Sequence, residues 1–234
     1  MKLVILLCDT FPGLLPPYIP SYEWMFVRLF GSVRPDLEFG VVPTWRDVLP
    51  PRLDPGALYL ITGSNSDAYD VRTPWIIHLR QWTVQAHEAG VRLAGICFGH
   101  QLIAHALGGR AARHPGGWGT GIRPSHIISP ELARAVGGNE LRLMYNHHDQ
   151  VVQLPPGAQL LSTSAFCPNE AFTLGKRTIS FQGHPEYLKS YARHLLLNHA
   201  ESEDPAVRQT ALDSLDRWEH HGTEVARFIL DFLK

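Results

Sequence analysis

The stretch VRLAGICFGHQLIAHALGG, residues 91–109, passes from an apolar β-type run directly into an apolar helical one, with Gly95, Cys97 and Gly99 at the junction. Nothing else in the chain constrains the fold as tightly. A strand that becomes a helix without an intervening loop needs a strained turn, and glycines on either side leave room for the two elements to pack closely. The remainder of the first half follows the same alternation. LVILL (3–7), LEFGVVP (37–43) and ALYLITGS (57–64) read as strands. YEWMFVRLF (22–30) and WIIHLRQWTVQAHEAG (75–90) place apolar residues at helical intervals, and Gly90 and the pair Gly108-Gly109 are helix stops. Alternating strands and helices predict an α/β fold in which a sheet is covered on both faces by helices.

After Gly121 the texture changes to shorter β-like segments: GIRPSHIIS, ELRLMYN, VVQL, QLLSTSA and EAFTLGKRTISFQG. From Tyr187 the chain is helical and charged, with an acidic interruption at ESEDP, 201–205. No repeat or linker stands out, so a single domain over 1–234 is expected, with 190–234 a helical C-terminal extension packed on it. The net charge of −1 gives no reason to expect nucleic acid or an anionic membrane surface as a partner. No run approaches the ~18 apolar residues of a membrane helix. The run Leu3–Leu7 is too short for a signal peptide and is followed by Asp9, so it reads as a first buried strand. Three cysteines without metal-type spacing fit free thiols in a reducing compartment, and the expected location is cytoplasmic.

Gly95-Ile96-Cys97-Phe98-Gly99 has the G-x-nucleophile-x-G form of a nucleophile elbow, with cysteine in the serine position. The helix starting near Phe98 points its N-terminal amides and positive dipole end toward the sulfur, which favours negative charge there and can stabilise an oxyanion. Without its glycines Cys97 would read as a buried structural residue, as Cys8 and Cys167 do. A cysteine nucleophile needs a base. With 13 histidines, abundance decides nothing. In Ile179-Ser180-Phe181-Gln182-Gly183-His184-Pro185-Glu186, however, a strand ends at a glycine, and His184 and Glu186 follow two residues apart. In extended backbone such positions face the same side, and Pro185 helps to hold that conformation. Glu186 can then orient the His184 imidazole while its other nitrogen faces a thiol. His100 and His105, on the elbow helix, compete as bases but lack a built-in orienting carboxylate.

With the elbow GICFGHQ and the downstream Gln182-Gly183-His184-Pro185-Glu186, the chain resembles the class I glutamine amidotransferases, the triad or flavodoxin-like glutaminase domains. The resemblance runs from about residue 40 to 190 and has both motifs in the expected order. It implies a flavodoxin-like, mixed, mostly parallel sheet sandwiched between helices. By this resemblance Cys97 is the nucleophile, His184 the general acid/base and Glu186 the orienting carboxylate. ITGSNSDAYD (61–70) stands where the family has a strand-end turn of the S-G-G-P kind, so the backbone N–H of Ser64, after Gly63, would join that of Phe98 in an oxyanion hole. Here Ser64-Asn65 replaces Gly-Pro. YNHHDQVVQLPPGAQLLSTS (145–164) resembles the family segment lining the glutamine pocket, which makes Asn146, His147, His148 and Asp149 candidate substrate contacts, together with Gly63 and Gln101.

Other readings compete at several of these positions. His147, His148 and Asp149 could be metal ligands, but adjacent residues rarely aim at one ion and no fourth ligand is evident; neither metal nor cofactor is expected. Trp24, Trp75 and Trp82 lie on helical faces and read as core. His220-His221 reads as a solvated face. The expected activity is hydrolysis of the glutamine side-chain amide through a cysteine thioester to glutamate and ammonia, the ammonia passing to a synthase or acceptor partner. The resemblance is greatest to the stand-alone, GMP-synthase-like branch. That branch also includes γ-glutamyl peptidases acting on glutathione-like compounds, the alternative substrates. A non-catalytic regulatory or scaffolding subunit would have no need of the Cys–His–Glu set.

Overall fold

The computed structural model describes residues 1–199 and 204–234; residues 201–203 of the acidic stretch lie outside them. The chain begins with β1 (Lys2–Leu6), α1 (Tyr22–Val33), β2 (Glu38–Val42) and β3 (Ala57–Ile61), a short 3-10 turn lying between β2 and β3. Next come α2 (Pro74–Glu88), β4 (Arg92–Ile96), α3 (Phe98–Ala106), β5 (Arg110–Arg113) and β6 (Gly119–Ile127). They are followed by α4 (Pro130–Val136), β7 (Glu140–His147), β8 (Asp149–Gln153), β9 (Ala158–Thr163), β10 (Ala171–Leu174) and β11 (Thr178–Phe181). The described residues end with α5 (Lys189–Asn198), α6 (Pro205–Arg217) and α7 (Gly222–Phe232).

Among the described residues nine strands form one mixed sheet in the order β2-β1-β3-β4-β11-β10-β9-β6-β7. The first five run parallel to one another. The rest are antiparallel, which accounts for the change of texture after Gly121. β5 and β8 pair separately as a two-stranded ribbon. The period-2 alternation of β1 shows how the layers are built. Leu3 and Ile5 join a core with Tyr22, Phe26 and Phe30 of α1 and with Val225 and Ile229 of α7. Val4 and Leu6 join a second core with Ile76 and Leu79 of α2 and Leu102 and Ile103 of α3. Because both faces of β1 are covered, its sequence is a continuous apolar run. Trp82 is buried in the second core, Trp75 packs against its edge and Trp24 against the first.

The local start and stop signals also appear. Pro74 and Pro205 occupy first-turn positions of α2 and α6, and the Asp204 carboxylate accepts from the Ala206 N–H. The ribbon strand β5 and the short helix α4 carry no strong period in the sequence, and the strand expected over 57–64 stops at Ile61. His220 and His221 depart from a solvated face. His221 is half-buried, with its backbone N–H donating to Arg142 O and its Nδ1 accepting from Arg142 N, so it extends the ladder beyond β7. His220 is also half-buried, and burial holds its imidazole below its ordinary pKa. Among the described residues no helix is long and apolar enough to cross a membrane.

The topology places three strand ends side by side. β3, β4 and β11 are neighbours in the parallel part of the sheet. Their C-terminal ends lead into Thr62-Gly63-Ser64, Cys97 and Gln182-Gly183-His184, respectively. Open parallel sheets present their ligand sites at this edge.

Candidate active site

Cys97 lies between β4 and α3 with φ 53° and ψ −105°, a left-handed backbone that side chains rarely adopt. The bend is held by tight packing. A Cβ on Gly99 would stand 2.2 Å from the Ile61 carbonyl oxygen, and one on Gly95 would stand 2.6 Å from the Gly99 oxygen. Only glycine permits either approach. The Cys97 N–H donates to Phe181 O at 2.9 Å, linking the elbow to β11. Phe98 is the first residue of α3, and its buried ring packs against Trp75 while its N–H lies at the open end of the helix.

From β11 the chain delivers His184, whose N–H donates to Met144 O at 2.7 Å. The Nδ1 of His184 lies 2.7 Å from Glu186 Oε1, and both side chains are almost wholly buried. Tyr187 stacks on the imidazole at 3.9 Å with an interplanar angle of 13°. Among the described residues His184 Nε2 is buried without a hydrogen-bond partner; it borders the same small space as Cys97. Burial alone would lower the imidazole pKa, but Glu186 and then Cys97 outweigh it and raise it to about 10. The i, i+2 geometry expected of His184 and Glu186 is therefore present.

The loop after β3 closes the other side. A Cβ on Gly63 would meet the Tyr22 hydroxyl at 2.7 Å and His184 Cε1 at 3.0 Å, so a larger residue there would have to displace one of these side chains. The Gly63 N–H donates to Tyr22 Oη at 3.2 Å. The Asp9 carboxylate accepts from the Asn65 N–H at 3.1 Å and from Ser64 Oγ at 3.4 Å. Its second oxygen accepts from the Thr10 and Phe11 N–H groups. Asp9 thus ties the proline-rich segment after β1 to the Ser64-Asn65 turn.

The remaining candidates line a space of about 190 Å³ that also reaches Cys97. Gln101, His147, His148, Asp149, Asn146 and Ser64 all border it. Gln101 Nε2 donates to Asp149 O at 2.7 Å and to Gln182 Oε1 at 3.2 Å, so its amide nitrogen anchors the wall. His147 Nδ1 donates to the Asp149 backbone oxygen at 3.0 Å, leaving a buried Nε2 without a partner among the described residues. Burial lowers the His147 pKa to about 3, so the ring is neutral and Nε2 is an acceptor. His148 Nδ1 contacts Asp149 Oδ1 at 2.8 Å, and its ring meets Trp118 edge-on. Burial and the neighbouring Asp149 raise the Asp67 pKa. Among the described residues no three His, Cys, Asp or Glu side chains are grouped to hold a metal ion.

The rival groups lie elsewhere. His100 is fully buried between Ser180 Oγ and Asn169 O, and burial lowers its pKa to about 3. His105 packs beside Tyr69. Cys8 and Cys167 are buried, and burial pushes both thiols up. Several site residues escaped the sequence reading: Asp9, Tyr22, Trp118 and Tyr187. Asp9 follows the first parallel strand, where a polar residue could have been singled out. Tyr22 and Trp118 carry no local signal.

Residues 62–201, more than half of the chain, match the model of the family described as glutamine amidotransferase class-I. A Saccharomyces cerevisiae protein named "Putative glutamine amidotransferase YLR126C" is 33% identical over 85% of this chain and 78% of its own length. Gamma-glutamyl peptidase 3 of Arabidopsis thaliana is 34% identical over 56% of this chain, a match spanning 55% of that relative. A subunit of the glutamine-hydrolyzing GMP synthase of Thermococcus kodakarensis is 36% identical over 42% of this chain and 53% of its own length. Among solved structures, a glutamine amidotransferase of Thermotoga maritima matches with a TM-score of 0.74 at 18% identity, covering 99% of this chain and 95% of that one. One from Methylobacillus flagellatus matches at 0.75 and 22%, covering 100% and 94%. At these identities the structural likeness speaks for the fold.

Proposed function

The chain belongs to the class I glutamine amidotransferase family, and from that premise we propose that it hydrolyses the side-chain amide of glutamine through a thioester on Cys97. One observation carries the reading: the buried Nε2 of His184, unpartnered among the described residues and its ring oriented by Glu186, borders one space with the strained Cys97. The Cys97 sulfur attacks the amide carbon, and its proton resides on His184. The N–H groups of Ser64 and Phe98 receive the oxyanion. His184 gives its proton to the nitrogen, the C–N bond breaks and ammonia leaves. Water, deprotonated by His184, then cleaves the thioester to glutamate and restores the thiol.

The two spaces beside Cys97 differ in a way that bears on the leaving group. The 190 Å³ space, bordered by Asp149, the neutral His147 and Asn146, suits the amino-acid end of the substrate, being smaller than the ~300–1,000 Å³ typical of drug-sized ligand sites. On the His184 side, between Phe11, Leu14 and Tyr191, the space is only about 20 Å³. That is room for one water- or ammonia-sized group. It supports glutamine over a γ-glutamyl peptide, whose leaving group would require the segment carrying Phe11 and Leu14 to move. The likeness to γ-glutamyl peptidases keeps that second substrate class as the comparison. On this reading the ammonia passes to a synthase or acceptor partner.

Steady-state assays on glutamine, glutathione and a γ-glutamyl amine test the reading. Ammonia release from glutamine with the highest kcat/KM supports it. Preferential cleavage of the bulkier amides overturns the substrate assignment, and no turnover of any of them overturns the reaction.

A further inference from the structure

We propose that the Tyr22 hydroxyl is a positioning group that couples the acid–base half of the site to its oxyanion loop. The inference rests on the roles proposed above for Cys97, His184 and Glu186. Tyr22 is the first residue of α1 and is wholly buried, far in sequence from the segments it joins. Its hydroxyl has one proton, donated to Glu186 Oε1 at 2.9 Å. The same oxygen accepts the Gly63 N–H at 3.2 Å. Glu186 Oε1 therefore receives both His184 Nδ1 and Tyr22, and one phenol oxygen links the carboxylate that orients the imidazole to the peptide preceding Ser64.

The link is stiff. The Tyr22 ring makes edge contacts with Phe11 at 4.6 Å and Phe26 at 5.2 Å, which fix the hydroxyl independently of its hydrogen bonds. The lack of room for a Cβ on Gly63 leaves the loop no slack against the phenol. Burial and the Glu186 charge raise the Tyr22 pKa well above its ordinary value, so the group remains a protonated donor wherever the site works. Because the Gly63 N–H is directed at Tyr22, the N–H offered to an oxyanion from this loop is that of Ser64. Asp9 holds the far side of the same turn. A displacement of Glu186 is thereby transmitted to the turn, and the converse also holds. A tyrosine that merely fills the core would affect stability and neither half of the chemistry.

Tyr22→Phe keeps the ring and removes only the hydroxyl. Three quantities are compared with the parent protein: kcat and KM for glutamine, the rate of Cys97 alkylation by iodoacetamide read by mass spectrometry, and Tm. Alkylation reports the imidazole–thiol pair and requires no oxyanion donor. The expected result is a kcat roughly 10- to 100-fold lower, with KM within about twofold. Alkylation slows too, by a smaller factor than kcat. The coupling is overturned if alkylation is unchanged, if kcat and alkylation fall by the same factor, or if only Tm moves. Cys97→Ser, assayed alongside, separates the nucleophile assignment from the coupling. Turnover surviving in Cys97→Ser overturns the site assignment itself, whereas its loss with an unaltered Tyr22→Phe overturns the coupling alone.

Discussion

Cys97 is the one cysteine with a left-handed backbone; Cys8 and Cys167 have ordinary φ angles and buried, raised thiols. Such a backbone costs on the order of 1–3 kcal/mol at a non-glycine residue and persists only where the surroundings impose it. Cys97→Ser and Cys97→Ala are therefore expected to abolish glutamine turnover, with Cys8→Ser and Cys167→Ser largely active in the same ammonia-release assay. On the proposed mechanism His184 moves the proton and Glu186 orients the imidazole, so Glu186→Gln should retain measurable activity and His184→Ala almost none. Equal and complete loss in folded samples of both would give Glu186 a larger role. Away from the sulfur, Glu170 is nearly inaccessible, and burial raises its pKa to about 7 despite Ser164 and Arg123 nearby. The folded protein thus keeps the Glu170 proton to higher pH than the unfolded chain, which releases it near the ordinary carboxylate value. Between roughly pH 4.5 and 7 the unfolded state binds fewer protons, so this group makes stability fall as pH rises, by about 3 kcal/mol in all. Denaturant titrations across that range should show the slope in the parent and its loss in Glu170→Gln.

At the scale of elements, the elbow and the proline-rich segment do different work. The elbow depends on contact between the start of α3 and the end of β3. Gly99→Ala would drive a Cβ into the Ile61 carbonyl, which backbone cannot yield without opening the β3–β4–α3 packing. The expected outcome is loss of several degrees of Tm or of soluble protein; an unchanged Tm would show that the bend has freedom the packing denies. The proline-rich segment instead limits the space beside His184. Leu14→Ala removes a partly exposed wall of that small space and should raise the ratio of kcat/KM for glutathione to that for glutamine several-fold. A ratio that stays constant would show that leaving-group size is controlled elsewhere.

At the scale of the molecule, α7 locks the end of the described chain onto its beginning. Val225 and Ile229 sit in the core shared with α1 and β1, and Ile229 is fully buried. Ile229→Ala should destabilise by about 2–5 kcal/mol, the range for truncating a buried aliphatic residue. For a protein of this size that is a fall of roughly 2–4 °C in Tm per kcal/mol. Since Ile229 is not among the residues around Cys97, kcat on glutamine well below the transition should remain near that of the parent. A large loss of kcat without loss of Tm would mean that α7 takes part in the site.

Much of this was local enough to be written in the sequence. Continuous apolar runs announce strands buried on both faces, as β1 with helices on either side demonstrates. The glycines of the elbow announce a close approach, and the His184–Glu186 spacing announces a shared side, because both depend on backbone geometry over a few residues. The short strand β5, the helix α4 and the half-buried His221 were not legible, for their places are set by long-range partners and not by any period. The same holds for the inner arrangement of the site. Nothing near Tyr22 indicates that its hydroxyl meets Gly63 and Glu186, nor near Asp9 that it grips Ser64 and Asn65. Local sequence determined which groups could do the chemistry; the order of strands β1, β3, β4 and β11 in the sheet decided which of them meet, since hydrogen bonds between distant segments exist only once parallel strand ends are brought to one edge.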